Sequence, residues 1–253
     1  MDIFAFAPVA AALNAAYSIV TGLAGLLFPL AGGASAAVAI IVVTVLLRAA
    51  LIPVGRSQMR AQLNRQRIAP KLQEIQRRYK NNRELLMRKT QELYASEKVS
   101  PFAGMLPTLA QAPVISLVYG LFVRPEIGGQ ANALLGQHLL GVPLGTSLGH
   151  LLSSGALFPG LLVFVALLGV IAIVAALSRR AALAMTPQTP QTPGAAGAGL
   201  AKVLSWLPFL TVVFAGIVPL AATLYLAVTT TWTLIERAIL RRRLDGTPRL
   251  AVA

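Results

Sequence analysis

Apolar residues in this chain gather into uninterrupted blocks of helical length, with none of the period-two alternation that a barrel strand needs. Block 157–177 contains no polar side chain and as a helix would be about 31 Å long, enough for a ~30 Å hydrocarbon core. Residues 36–54 are apolar apart from Thr44, Arg48 and Pro53, and 103–123 is uncharged, with Thr108, Gln111 and Ser116 as its main polar points. The region 203–235 is uncharged throughout, about 50 Å as one helix, too long for one crossing and short for two. Pro219, after Gly216, offers the break, so two short helices are predicted over roughly 201–216 and 219–237. The pattern predicts an all-α membrane protein with a five-helix transmembrane core.

Residues 8–30 form a further apolar segment, broken by Asn14, Tyr17, Ser18 and Thr21. Charge decides how to read it. The block 56–98 holds twelve Lys or Arg against four Glu, and Arg179, Arg180, Lys202 and Arg241 to Arg243 add further cations, whereas the N-terminus and 124–156 carry few. The positive-inside rule makes the first group cytoplasmic and the second external, an N-out, C-in chain with five crossings. A sixth crossing by 8–30 would need an N-in start with no cation to hold it, so 1–35 is read as an external interfacial lead-in helix. The opening residues lack the positive region of a signal peptide and the arginine-rich character of a presequence, and a bacterial plasma membrane is the expected location. The expected order is then a first core span (36–55), a cytoplasmic helical hairpin (56–98), a second span (99–123), an external loop (124–156) with a short helix around Ala131–Leu140, a third span (157–177), a cytoplasmic flexible loop (178–200), the fourth and fifth spans (201–237), and a short basic cytoplasmic tail (238–253).

Within 56–98, Met59, Leu63, Ile68, Leu72, Ile75 and Tyr79 make one apolar stripe at helical spacing. Lys80-Asn81-Asn82 offers a turn, and Leu86, Leu93 and Tyr94 give a second stripe, so two antiparallel arms can bury the stripes against each other. Pro70 should kink the first arm or begin a new segment. Arg65, Arg67, Lys71, Arg77, Arg78, Lys80, Arg83, Arg88 and Lys89 are left as a docking surface for anionic lipid, RNA or an acidic partner. The alternative is a solvated loop that only sets topology, but such a connector needs far fewer residues.

Composition adds the chemistry. Hydrophobic residues make up 56% of the chain and charged residues 12%. The eight acidic residues all fall in loops, tails or segment edges, so Arg48 has no acidic partner at membrane depth. A mid-membrane charge costs at least ~2.5–3.5 kcal/mol and persists where water or a ligand reaches it. Arg48, Thr44, Gln111, Ser116, Tyr119, Tyr225, Thr229, Thr230 and Thr231 are enough polar groups for a wet cavity without an ion-coordinating cage. A structural reading also stands, with Arg48 bonded to backbone carbonyls, Gln111 joining helices and the threonines bonded within their own helix. Trp206 and Trp232 read as interface anchors. Cysteine is absent, which excludes disulfides and thiol chemistry. No nucleophile elbow, paired carboxylates, HExxH or phosphate loop is present, so neither enzyme activity nor a cofactor is expected, and His138 and His150 do not suggest a metal site. Proton or cation transport normally needs intramembrane carboxylates, but an anion or solute transporter or channel using Arg48 remains an alternative.

Several stretches resemble the YidC membrane insertase family, which includes the mitochondrial Oxa and chloroplast Alb relatives. These are Thr44-Val45-Leu46-Leu47-Arg48 followed by Pro53, Ile68-Ala69-Pro70-Lys71-Leu72-Gln73-Glu74-Ile75 with Tyr79-Lys80-Asn81-Asn82, and above all Val99-Ser100-Pro101-Phe102-Ala103-Gly104-Met105-Leu106-Pro107 with Gln111-Ala112-Pro113. Ser100 and Met105 stand where the family usually has Asn and Cys, and Ala221, Leu226 and Thr230 where Gly, an aromatic and Asn are common. The resemblance, over about 36–243, implies an insertase and chaperone that works without nucleotide hydrolysis. It implies a hydrophilic groove open to cytoplasm and lipid and closed towards the outside. Nascent membrane proteins are the implied clients, with the ribosome, the signal recognition machinery, the Sec translocon and anionic lipids as further partners.

Overall fold

The computed structural model describes residues 6–100, 112–155, 158–185 and 205–245. Its contacts divide into one unit of Met1–Ala50, Pro113–Met185 and Ala196–Ile235, and a second of Leu51–Ala112, Thr186–Ala195 and Glu236–Ala253.

The first unit opens with α1 (Ala7–Ala31), a 3-10 turn (Gly32–Ala34) and α2 (Ser35–Ala50). Ala36, Ala37 and Ala39 are fully buried with Ile40 and with Val20 of α1. Small side chains on that face let the two helices pack closely. Midway along α1, the Tyr17 hydroxyl accepts a hydrogen bond from Ala133 N at 3.0 Å. A Cβ on Gly128 would lie 2.9 Å from Asn14 Oδ1. Asn14 and Tyr17 thus lie against the segment that follows α5 (Ala112–Val123), whereas Ser18 and Thr21 donate to carbonyls of α1 itself.

That segment differs from the single helix expected around Ala131–Leu140. It contains β1 (Glu126–Ile127) paired with β2 (Gln130–Ala131), a one-turn α6 (Ala133–Gly136), β3 (His138–Leu139) paired with β4 (Val142–Pro143), and α7 (Leu148–Ser154). The reason lies in two-residue turns. Gly128-Gly129 and Leu140-Gly141 all have positive φ, between 51° and 83°, the conformation that joins tight hairpins and interrupts a helix. Asn132, 5% exposed, secures the segment. Its Nδ2 donates to the carbonyls of Leu121, in the last turn of α5, and Arg124, just after it, and its Oδ1 accepts from Leu134 N. Downstream, the carbonyls of Thr146 and Leu144 accept from Leu220 N and Ala221 N, satisfying the first amides of the final helix.

Helices α8 (Gly160–Met185), α9 (Leu207–Ile217) and α10 (Leu220–Asp245) follow. Helix α8 continues eight residues past the predicted limit of 177 and takes in the start of the expected loop, because no breaker precedes Pro187. Helix α9 is about 17 Å long, well short of the expected span. Residues 201–204 lie outside the described residues, as does most of the expected loop 178–200. Helix α10 runs beyond the predicted end at 237, so Arg241 to Arg243 are helical where a tail was expected, and Gly246 is the first breaker.

Leu162, Val165, Ile173 and Leu177 of α8 and Leu210, Val213 and Ile217 of α9 are exposed. Such apolar surface suits lipid and would be a liability in water. Two helical runs, Ala7–Ala50 and Gly160–Leu183, are long and apolar enough to cross a membrane. The shared core gathers Leu144, Phe164, Leu220 and Ala221, all fully buried, with Leu13, Val20 and Ile40.

The second unit contains α3 (Ile52–Arg78), the turn at Tyr79–Asn82 and α4 (Arg83–Ser96), which packs back on α3. Met59, Ile68 and Leu93 are buried, and Leu63, Leu72, Ile75, Tyr79, Leu86 and Tyr94 are half-buried. Helix α3 runs through Pro70 as a single helix, where a kink or a new segment was expected. Asn82 caps α4, its Oδ1 accepting from Leu85 N at 2.9 Å. Gly55 also lies in this unit, where a Cβ would collide with the Glu236 carboxylate, whose Oε1 is shielded from solvent. Only a glycine leaves room for that approach.

Candidate functional site

Thr44 and Arg48 are one turn apart on α2 and share a face. Thr44 is buried and donates to its own helix at Ile40 O, 2.6 Å away. Arg48 is half-buried, and its Nε donates to Thr229 Oγ1 of α10 at 3.4 Å, a long and therefore weak hydrogen bond. Arg48 makes no ion pair among the described residues. Its charge meets a neutral hydroxyl, and most of its five donors are not used by that bond.

Tyr225 lies one turn before Thr229, on the same face of α10. It is buried, with its ring 6.0 Å from that of Phe122. The other threonines turn inward to their own helix. Thr230 Oγ1 donates to Leu226 O at 2.8 Å, Thr231 Oγ1 to Ala227 O at 2.7 Å, and Thr233 Oγ1 to Thr229 O at 2.8 Å. Of the nine polar residues expected around a cavity, Arg48, Thr44, Tyr225 and Thr229 come together. Thr230 and Thr231 follow on α10 as half-buried residues, and Ser116 is half-buried on α5. The Tyr119 side chain and the whole of Gln111 lie outside the described residues.

Sequence reasoning missed Thr223. It is fully buried, and its Oγ1 donates to Ala215 O at 2.7 Å, stitching α9 to α10 across the Pro219 break. A threonine four residues after a proline that ends one helix and opens the next was the available signal. Asn132 and Glu236 were passed over as well, one as a loop residue and the other as a segment edge.

On the charged arms, Glu97 accepts from both Arg67, at 3.0 Å, and Lys71, at 2.5 Å, joining α3 to the end of α4. The Lys71 hydrogen bond first, then the charges of Lys71 and Arg67, hold the Glu97 carboxyl below the ordinary carboxylate range despite an opposing desolvation. Glu92 is lowered similarly by Lys89 and Arg88 within α4. Arg77, Arg78, Lys80 and Arg83 cluster about the turn, exposed, and form no ion pair among the described residues. Arg65 is also exposed on α3.

The model of the 60Kd inner membrane protein family matches residues 27–247. The chain is 38% identical over 82 residues to the membrane protein insertase YidC of Geobacter sulfurreducens, covering 32% of this chain and 15% of that protein. It is 40% identical over 94 residues to the membrane protein insertase YidC of Oceanobacillus iheyensis, covering 35% and 37%. Similarity to the chloroplastic inner membrane protein ALBINO3 of Arabidopsis thaliana is 35% over 108 residues, covering 37% and 23%. The chain thus spans well under half the length of each of these relatives. With a matched segment that takes in every described helix from the end of α1 to α10, the chain belongs to the 60Kd inner membrane protein family, that of YidC, Oxa and Alb.

Proposed function

We propose that the protein is a membrane insertase of the bacterial inner membrane, passing short hydrophilic segments of nascent membrane proteins through a polar groove around Arg48. The observation that carries this reading is the half-buried Arg48, whose hydrogen bond among the described residues goes to neutral Thr229. An arginine without a carboxylate can offer its charge to a passing acidic side chain. No nucleotide is required, because burial of the client's own apolar span, at about 25 cal/mol per Å², drives transfer. The names of its relatives support the same activity. An anion channel would need hydrogen-bond donors along its path, but the hydroxyl protons of Thr44, Thr230, Thr231 and Thr233 are already given to carbonyls of their own helices.

Photo-cross-linking decides between the two. A benzophenone amino acid at half-buried Ser116 or Thr230 should capture a ribosome-bound membrane protein while its first span is emerging. Absence of any client adduct, together with anion flux through the reconstituted protein, would establish the channel instead.

The proposed arrangement is N-out and C-in, with α3 and α4 as the cytoplasmic hairpin and α1 at the outer interface. The contacts of Asn14 and Tyr17 with residues 128 and 133 support that place for α1. A spanning α1 would carry those residues deep into the bilayer, away from the external segment. Cysteines at exposed Asn82 and Gln137 test the orientation. In intact cells an impermeant maleimide should label Gln137→Cys and spare Asn82→Cys, and the reverse pattern would invert the topology. Asn132, being buried, is a poor probe.

A further inference from the structure

We infer that the end of α8 and the start of α9 form a binding site for the headgroup of an anionic phospholipid, built on Arg179, Arg180, Ser205 and Trp206. The Arg179 guanidinium lies over the Trp206 ring, 4.4 Å from its centroid. Its Nε donates to Ser205 Oγ at 3.3 Å. Two restraints from one direction hold the planar group in place, and the four N–H of its Nη atoms remain for an acceptor. A guanidinium fixed in this way suits the paired oxygens of a phosphate.

Depth and charge identify the ligand. Arg179 follows the uncharged run 157–177 by one residue, a run of about 31 Å that places the arginine at headgroup level when α8 spans the bilayer. Trp206 is 52% exposed, and Leu207 and Leu210 beside it are exposed as well. Phe209 backs the indole, with ring centroids 5.1 Å apart. The site thus presents an apolar wall for acyl chain below a cationic rim. Arg180 is exposed and adds a second charge. Neither arginine forms an ion pair among the described residues, and the sequence has no Asp or Glu between Glu126 and Glu236. The charge balance here calls for an anion that resides in the membrane. This inference does not depend on the insertase reading.

The test uses the full chain with Trp232→Phe, so that Trp206 is the sole tryptophan. The protein is reconstituted in phosphatidylcholine vesicles containing a small fixed fraction of brominated phosphatidylglycerol or, in parallel, brominated phosphatidylcholine. Trp206 quenching by the anionic lipid should correspond to about a fivefold local enrichment, the scale expected for one arginine near charged lipid. Arg179→Gln should abolish the excess, while Arg242→Gln, which removes the same charge elsewhere, should preserve it. An unchanged emission maximum without bromine shows that each variant keeps Trp206 seated. Equal quenching by the two lipids overturns the site, as does an equal loss in both variants, which would mean diffuse attraction. Abolition of the excess by inorganic phosphate would assign the pocket to a soluble anion and overturn the lipid assignment.

Discussion

On the insertase reading, deleting residues 60–95 should leave a protein that still accumulates in the membrane but inserts almost no client. The two arms pack on each other, with Ile68 of α3 and Leu93 of α4 buried. Removing both together therefore strands little apolar surface. What disappears is the cluster of Arg77, Arg78, Lys80 and Arg83 around the turn, exposed and without ion pairs among the described residues. A gentler variant separates charge from shape. Changing those four residues to glutamine keeps Asn82 as the α4 cap and should lower insertion several-fold, with the remaining activity less sensitive to salt, because docking between charges is screened over about 8 Å at physiological ionic strength. Full activity of the deletion in a vesicle insertion assay would reduce the arms to a topology signal.

Arg48→Ala should impair clients with acidic external tails by about tenfold, equivalent to ~1.4 kcal/mol at the barrier, while clients with neutral tails lose little. The attraction between a guanidinium and a carboxylate 4 Å apart ranges from ~1 kcal/mol in water to ~4 kcal/mol in a partly dry site, so a tenfold effect lies near the wet end. Arg48→Lys keeps the charge and should retain most activity. Thr229→Val removes the hydroxyl that accepts from Arg48 and should have a small effect if the arginine serves the client more than the helix pair. The measurement is insertion rate for matched clients differing only in tail charge. Equal rates for Arg48→Ala and the parent with both clients would make the arginine structural.

Much of the fold was legible because apolar length and proline position are local properties. The break at Pro219, the unbroken apolar run of α8 and the stripe from Met59 to Tyr79 could all be read residue by residue. Helix ends were less legible. Sequence reading stopped helices where charge began, but Arg179 and Arg241 are good helix formers, and α8 and α10 continue until glycine or proline approaches. The segment between α5 and α8 was misread because its hairpins rest on pairs of positive-φ residues, one of them Leu140. Leucine carries no propensity signal for that conformation. In the candidate site, Arg48 stood out by its charge in an apolar run. Its pairing with Thr229, 181 residues away, depended on packing that no local pattern encodes. Asn132 and Thr223 were invisible for the same reason: their partners are carbonyls presented by other elements.

The threonines that bond back to their own helices bear on how discriminating the protein can be. Enzymes that reject near-identical substrates do so by leaving a buried donor or acceptor stranded when the wrong molecule enters. Here Thr44, Thr230, Thr231 and Thr233 have already donated to carbonyls one turn away. A passing segment that supplies no hydrogen bond strands none of them, and one that does supply it finds lone pairs still free to accept. On the insertase reading, such a lining is polar enough to wet yet indifferent to residue order, and this promiscuity is what a machine handling many unrelated polypeptides requires.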